Sequence, residues 1–258
     1  MKIPQSYKLY NFYNFYNFYN PYKKNIMSQT TSLTVFEGRK EERLNSGIAD
    51  QISSRTYNAV MCATLLWGFL VNALMVAYLA RPITQALAGV SPWVLLLGYF
   101  VLAIAGIVIS VKSDNPGISF IGFNLLVLPM GVVLCLIVPW MPVTIVTKAL
   151  LLTGLVTASM ILLGLIRPQF FLGLGRTLLI ALLIGIVAEL VATFLLGYRG
   201  AAFDWLFVIL FSGYIGYDIA KSQAYPKTVD NAVDCALDIY LDIINLFIRL
   251  LSLLSREQ

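Results

Sequence analysis

The chain has 258 residues, of which 59% are hydrophobic and 12% are charged. Because a soluble globular domain carries about twice that charged fraction, this composition is typical of an integral membrane protein. The formal net charge of +5 does not indicate nucleic-acid binding, since the basic residues are spread between apolar segments instead of forming one cluster.

The chain contains no histidine, which removes several kinds of chemistry. Ser-His catalysis, zinc sites of the His-Glu-x-x-His type and pH sensing by histidine are excluded. Cys62, Cys135 and Cys235 lie in apolar surroundings without Cys-x-x-Cys spacing, so they predict packing residues and not a disulfide framework. Any proton chemistry must therefore depend on carboxylates.

Residues 1–56 predict a low-complexity leader and a polar cytoplasmic arm that is largely disordered. Residues 11–19 repeat the triplet Asn-Phe-Tyr three times, a pattern with no core-forming period. We expect translation to start at Met27; the alternative is an aromatic tail that rests at the membrane interface. Residues 28–56 are polar and basic.

Seven apolar segments follow, each of about 19 to 24 residues, which is long enough for a helix to cross a bilayer. They lie at about 57–80, 92–111, 118–139, 143–165, 176–197, 202–221 and 231–254. The sequence therefore predicts an all-α membrane protein, with a seven-transmembrane-helix domain over residues 57–254 and a short tail at 255–258. Pro129, inside the third segment, predicts a kink.

Basic residues predict the orientation of these segments. With the N-terminus inside, nine basic residues flank the cytoplasmic ends and four lie on the opposite side, which favours a cytoplasmic N-terminus in the inner membrane. The nine are Arg39, Lys40, Arg43, Arg55, Lys112, Arg167, Arg176, Lys221 and Lys227; the four are Arg81, Arg199, Arg249 and Arg256. The last two leave open whether the final helix crosses completely.

The last segment carries four aspartates at a spacing of four residues, which places them along one acidic stripe of a helix: Asp230, Asp234, Asp238 and Asp242. Asn245 and Arg249 continue this stripe. Carboxylates in a first turn favour the positive end of the helix dipole, but Asp242 lies three turns in, where a charge costs about 2.5–3.5 kcal/mol to insert. Such a helix cannot face lipid, so we expect it in the middle of the bundle.

Asp218, near the cytoplasmic end of the sixth segment, is expected to meet Asp242, because a short loop joins these antiparallel neighbours. Two close carboxylates with little water cannot both ionise cheaply, so the pair should titrate in two coupled steps. When ionised, it would also attract a hard cation such as calcium. Glu189, deep in the fifth segment, has no partner that the sequence identifies; it either lines a pathway or packs in its protonated form.

Residues 236–247 read Ala-Leu-Asp-Ile-Tyr-Leu-Asp-Ile-Ile-Asn-Leu-Phe. They resemble the closing signature of the Bax inhibitor (transmembrane Bax-inhibitor-motif) family, whose core is Tyr-Leu-Asp-x-x-Asn-Leu-Phe. Tyr217-Asp218, the seven-segment layout and Pro129-Met130-Gly131 are also similar to the family pattern. The resemblance covers about residues 50–254, with the strongest motifs in the last forty, and we interpret the chain as a bacterial member.

This resemblance implies a seven-helix fold with a central C-terminal helix, and a pH-sensitive calcium leak governed by two aspartates that match Asp218 and Asp242. Calcium would be the permeant ion, and no cofactor is expected. Some members carry an arginine near the end of the second span that pairs with the aspartates; here the nearest basic residue is Lys112, a point charge without the planar fork of arginine. The accessory candidates are Asp238, Asp234, Glu189, Asn245 and Lys112.

Three alternatives stay open: a proton-coupled transporter of a small solute with Glu189 and Asp242 in its relay, a scaffold for another membrane protein, and an intramembrane aspartyl protease. The protease requires Gly-x-Gly-Asp and a later Pro-Ala-Leu, whereas Asp242 follows Ile-Tyr-Leu and no Pro-Ala-Leu follows. We therefore expect a protein that is not an enzyme, whose partners are the lipid bilayer, calcium and protons.

Overall fold

The computed structural model describes residues 51–197 and 200–256, and every regular element in these ranges is helical. The predicted leader and most of the polar arm, residues 1–50, lie outside the described residues. In chain order the helices are α1 (Ser54–Leu74), a π-helical turn (Met75–Leu79), α2 (Ala80–Ala86), α3 (Pro92–Lys112), α4 (Pro116–Ile137), a 3-10 turn (Val138–Trp140), α5 (Val143–Ile166), α6 (Pro168–Leu195), α7 (Ala201–Ala224) and α8 (Val229–Ser255).

Six helical stretches in the described ranges are long and apolar enough to cross a membrane. The all-α prediction is confirmed, and these stretches indicate a multi-pass membrane protein. Helix α8 is not one of the six stretches, because it carries too many charged residues. The six are Ser54–Ala86, Trp93–Ser110, Pro116–Trp140, Val143–Ile166, Pro168–Leu195 and Ala201–Ala224.

Local chemistry explains where the helices depart from the predicted bounds. α1 begins at Ser54, before the predicted residue 57, because the Ser53 hydroxyl caps it by accepting from the Thr56 amide at 3.1 Å. The predicted start of the fifth segment at residue 176 was wrong. Helix α6 begins at Pro168, since proline is favoured at the first helical position, and Arg176 therefore lies within the helix.

Helix α8 packs against α1, α4, α5 and α7. One side of it joins the largest apolar cluster, in which Tyr240 and Ile244 meet Phe123 and Leu126 of α4 and Ala149 of α5. By contrast, α3, α5 and α6 carry many exposed leucines, isoleucines and valines, which suits a lipid environment. Burial thus concentrates around the helix that carries the most charged residues.

Two glycines bring α3 and α4 into backbone contact. A Cβ atom built on either Gly106 or Gly122 would lie 2.6 Å from the carbonyl oxygen of the other glycine. Small residues at helix interfaces allow such close approach in membrane proteins.

We expect Gly122→Ala to lower the free energy of unfolding by about 1–3 kcal/mol, because the added methyl group meets backbone that cannot rotate away. SDS titration in mixed micelles would measure the change. Gly154→Ala in α5 is the matched control, since nothing lies within 4 Å of a Cβ built there. Equal losses in the two variants would contradict the packing argument.

Candidate functional site

The structure brings Asp218 of α7 and Asp242 of α8 together. Both are buried, with 6% and 7% of their surface exposed, and their carboxyl groups lie within hydrogen-bonding reach of each other. Oδ2 of Asp242 has no hydrogen-bond donor among the described residues. Because two ionised carboxylates hold no donor between them, a proton on one of them would complete this contact.

Lys221, one turn beyond Asp218 on α7, is the counter-ion of this site. Its Nζ donates to Oδ1 of Asp218 at 3.1 Å and to Oδ2 of Asp238 at 2.6 Å. The rings of Tyr217 and Tyr225 lie 5.7 and 5.9 Å from Nζ, at a distance that favours a cation. The ammonium group therefore joins two carboxylates from different helices.

Lys112, the basic partner considered from the sequence, does not occupy this position. It is exposed at the end of α3, and the described residues include no ion pair with it. The sequence signal for Lys221 was its i,i+3 spacing from Asp218, which places the two side chains on one face of a helix. From the sequence, Lys221 was predicted only to be one of the basic residues that set the orientation of the helices.

The first two carboxylates of α8 bind serine hydroxyls from the α3–α4 hairpin. The Ser119 hydroxyl donates to Oδ1 of Asp230 at 2.6 Å, and the Ser110 hydroxyl donates to Oδ1 of Asp234. All four residues are buried. The favourable helix dipole is therefore supplemented by direct hydrogen bonds, which hold the beginning of α8 against α3 and α4.

Glu189 and Asn245 lie outside this arrangement. The Asn245 amide donates to the Leu241 carbonyl of its own helix at 2.8 Å. Glu189 accepts two hydrogen bonds from Arg249, at 2.6 and 2.7 Å. Glu189 therefore has a partner that the sequence did not identify, and a bidentate bond to arginine is a charge-assisted contact.

Lys227 holds the connection between α7 and α8 in place through several hydrogen bonds. Lys227 Nζ donates to the Ser222 and Gln223 carbonyls at 2.9 and 3.0 Å, near the end of α7. Burial lowers the pKa of the Lys227 amine. The Ile52 amide also donates to the Lys227 carbonyl at 2.8 Å, so the segment before α1 is tied to this connection.

The family model described as "Inhibitor of apoptosis-promoting Bax1" matches residues 49–258. The chain belongs to this family. A search of the curated proteins found no match. The family prediction, made from the residues around Asp242, is therefore confirmed over all of the described residues.

In this Bax inhibitor family chain, the closing signature covers two faces of α8. Tyr240 faces α1 and α4, where its hydroxyl accepts from the Asn72 amide and its ring lies 5.4 Å from Phe69 and 5.5 Å from Phe123. Asp242 faces Asp218 on α7. The signature thus combines a packing contact with the carboxylate pair.

Proposed function

We propose that this protein is a pH-sensitive calcium leak of the cytoplasmic membrane, gated by Asp218 and Asp242. In this proposal α8 is the seventh membrane-spanning helix and lies at the centre of the bundle. Its 27 residues extend about 40 Å, enough to cross a bilayer. The contacts of α8 with four other helices and the burial of three of its aspartates support this position.

The proposal places the N-terminus and the α7–α8 connection in the cytoplasm. Lys221 and Lys227 lie at this end of α7, and the Ile52 contact brings the beginning of α1 beside them. Positive residues concentrate on the cytoplasmic side of membrane proteins. Asp230 and Asp234 would then stand nearest the cytoplasm, with Asp242 deeper along the same helix.

The observation that carries the proposal is the buried contact between the Asp218 and Asp242 carboxyl groups. Such oxygens bind calcium when ionised, and a proton removes one of the charges that attract it. Protons, calcium and the Lys221 ammonium group therefore compete for one set of oxygens. Calcium is the transported ion here, not a resident cofactor, and calcium permeation should vary across the titration range of the pair.

Calcium flux into proteoliposomes, measured from acidic to alkaline pH, tests this proposal. We expect both Asp218→Asn and Asp242→Asn to flatten the pH profile, because an amide cannot exchange a proton in this range. The ratio between the largest and smallest flux should fall severalfold below that of the parent protein, because the coupled carboxylate pair is lost.

Asp114→Asn is the matched control, since Asp114 is an exposed carboxylate in the α3–α4 connection. It should keep the pH profile of the parent protein. An unchanged profile in both Asp218→Asn and Asp242→Asn would overturn the proposed gate.

A further inference from the structure

A second polar cluster lies around Arg249, two turns beyond Asp242 on α8. Its guanidinium group donates to both Glu189 oxygens and, at 3.1 Å, to Oδ1 of Asp204. The ring of Phe207 lies 4.2 Å from the guanidinium carbon. Helices α6, α7 and α8 therefore meet at this one arginine.

The cluster is balanced in charge. Arg256 Nε lies 3.2 Å from Oδ2 of Asp204, and the Ser252 hydroxyl donates to the same oxygen at 2.9 Å. Two guanidinium groups thus face two carboxylates, and Asp204 is only 4% exposed. While Arg249 holds its partners, the oxygens of Glu189 and Asp204 are engaged by cations of the protein.

Arg249 lies on the face of α8 that carries Asp242. Asp242, Asn245 and Arg249 fall within about 60° of one line along the helix, and Arg249 is about 10 Å beyond Asp242. No charged residue lies between the two clusters, in residues 205–217 of α7 or in residues 243–248 of α8. A cation that followed this face from Asp242 would next meet the guanidinium group.

We infer that Arg249 is the barrier to cations at the end of the pathway opposite to the Asp218–Asp242 pair. This inference rests on the proposed calcium leak and adds a determinant of its rate. The cluster carries no net charge, but its guanidinium group is the part that lies on the α8 face beyond Asp242, and in a poorly hydrated passage it repels calcium at close range. Its ion pairs also withhold the two carboxylates that would otherwise attract the ion.

The test is calcium flux through Arg249→Gln in proteoliposomes over the same pH range. We expect the flux to rise about fivefold or more at every pH, with the parent's midpoint, because the barrier falls while the titrating pair is unaltered. Arg249→Lys should stay within about twofold of the parent, since it keeps the charge. Glu189→Gln, which breaks the same contact but leaves the arginine, should give no increase.

The exposed Arg81 of α2 provides a matched control, and Arg81→Gln should leave the flux unchanged. If Arg249→Gln does not fold, the double variant Arg249→Gln/Glu189→Gln removes both charges and should still raise the flux. No rise in any folded variant that lacks the Arg249 charge, or an equal rise in Glu189→Gln, would overturn the barrier. If the parent itself shows no pH-dependent flux, the proposed leak is overturned, and this inference with it.

Discussion

Replacing Lys221 by glutamine is expected to move the midpoint of pH-dependent calcium flux upward by about one to three pH units. The ammonium group lies 3.1 Å from Asp218 and 2.6 Å from Asp238, and it favours their ionised forms. Without it, the carboxylates retain a proton to higher pH. The direction of this change does not depend on which protonation state conducts.

The groups that face Lys221 come from both packed helices and from their connection. Removing the charge of Lys221 therefore affects several carboxyl, phenol and thiol groups, and not one carboxylate alone. They are Tyr214, Tyr217 and Asp218 of α7, Tyr225 of the connection, and Cys235, Asp238 and Asp242 of α8.

Two lysine variants make this experiment specific. Lys221→Arg keeps the positive charge and should keep a midpoint near that of the parent. Lys112→Gln removes the exposed lysine that the sequence suggested as the partner, and should have no effect. A shift in Lys112→Gln together with an unchanged Lys221→Gln would favour the sequence-based assignment over the structural one.

Tyr240→Ala is expected to lower the free energy of unfolding by about 3–5 kcal/mol, because it opens a cavity in the centre of the largest apolar cluster. Tyr240 is completely buried and packs against Phe69, Phe123 and Gly68. Tyr240→Phe keeps the ring but leaves the buried Asn72 amide without its acceptor, which should cost about 1–3 kcal/mol.

SDS titration in mixed micelles would measure both losses. Tyr78→Ala is the control, since Tyr78 is 76% exposed and its truncation should change stability by no more than about 0.5 kcal/mol. If Tyr240→Ala were no more costly than Tyr78→Ala, packing around the family signature would not hold α8 in place.

The contact between Asp218 and Asp242 shows how much of the site can be predicted from helical periodicity. The four-residue spacing from Asp230 to Asp242 indicated one acidic stripe, and the short α7–α8 connection indicated that Asp218 would approach it. The structure places Asp218 and Asp242 beside each other. Their role as a pH sensor stays a prediction until flux is measured.

The remaining polar contacts depend on how distant segments pack. Glu189 and Arg249 are 60 residues apart, and neither helical spacing nor hydropathy indicates that α6 meets the end of α8. The pairing of Ser119 with Asp230 likewise requires the α3–α4 hairpin to fold against the beginning of α8. For Lys221, spacing brings it close to Asp218, but only the packing of α8 brings Asp238 to the same ammonium group.

The amino-acid sequence alone determined the membrane environment, the approximate positions of the apolar helices, the family and the acidic stripe of α8, because hydropathy and helical period are local properties of the chain. The tertiary structure decided which cation and which hydroxyl groups meet each carboxylate. Those contacts depend on the rotation and depth of each helix against its neighbours, and packing between distant segments sets both.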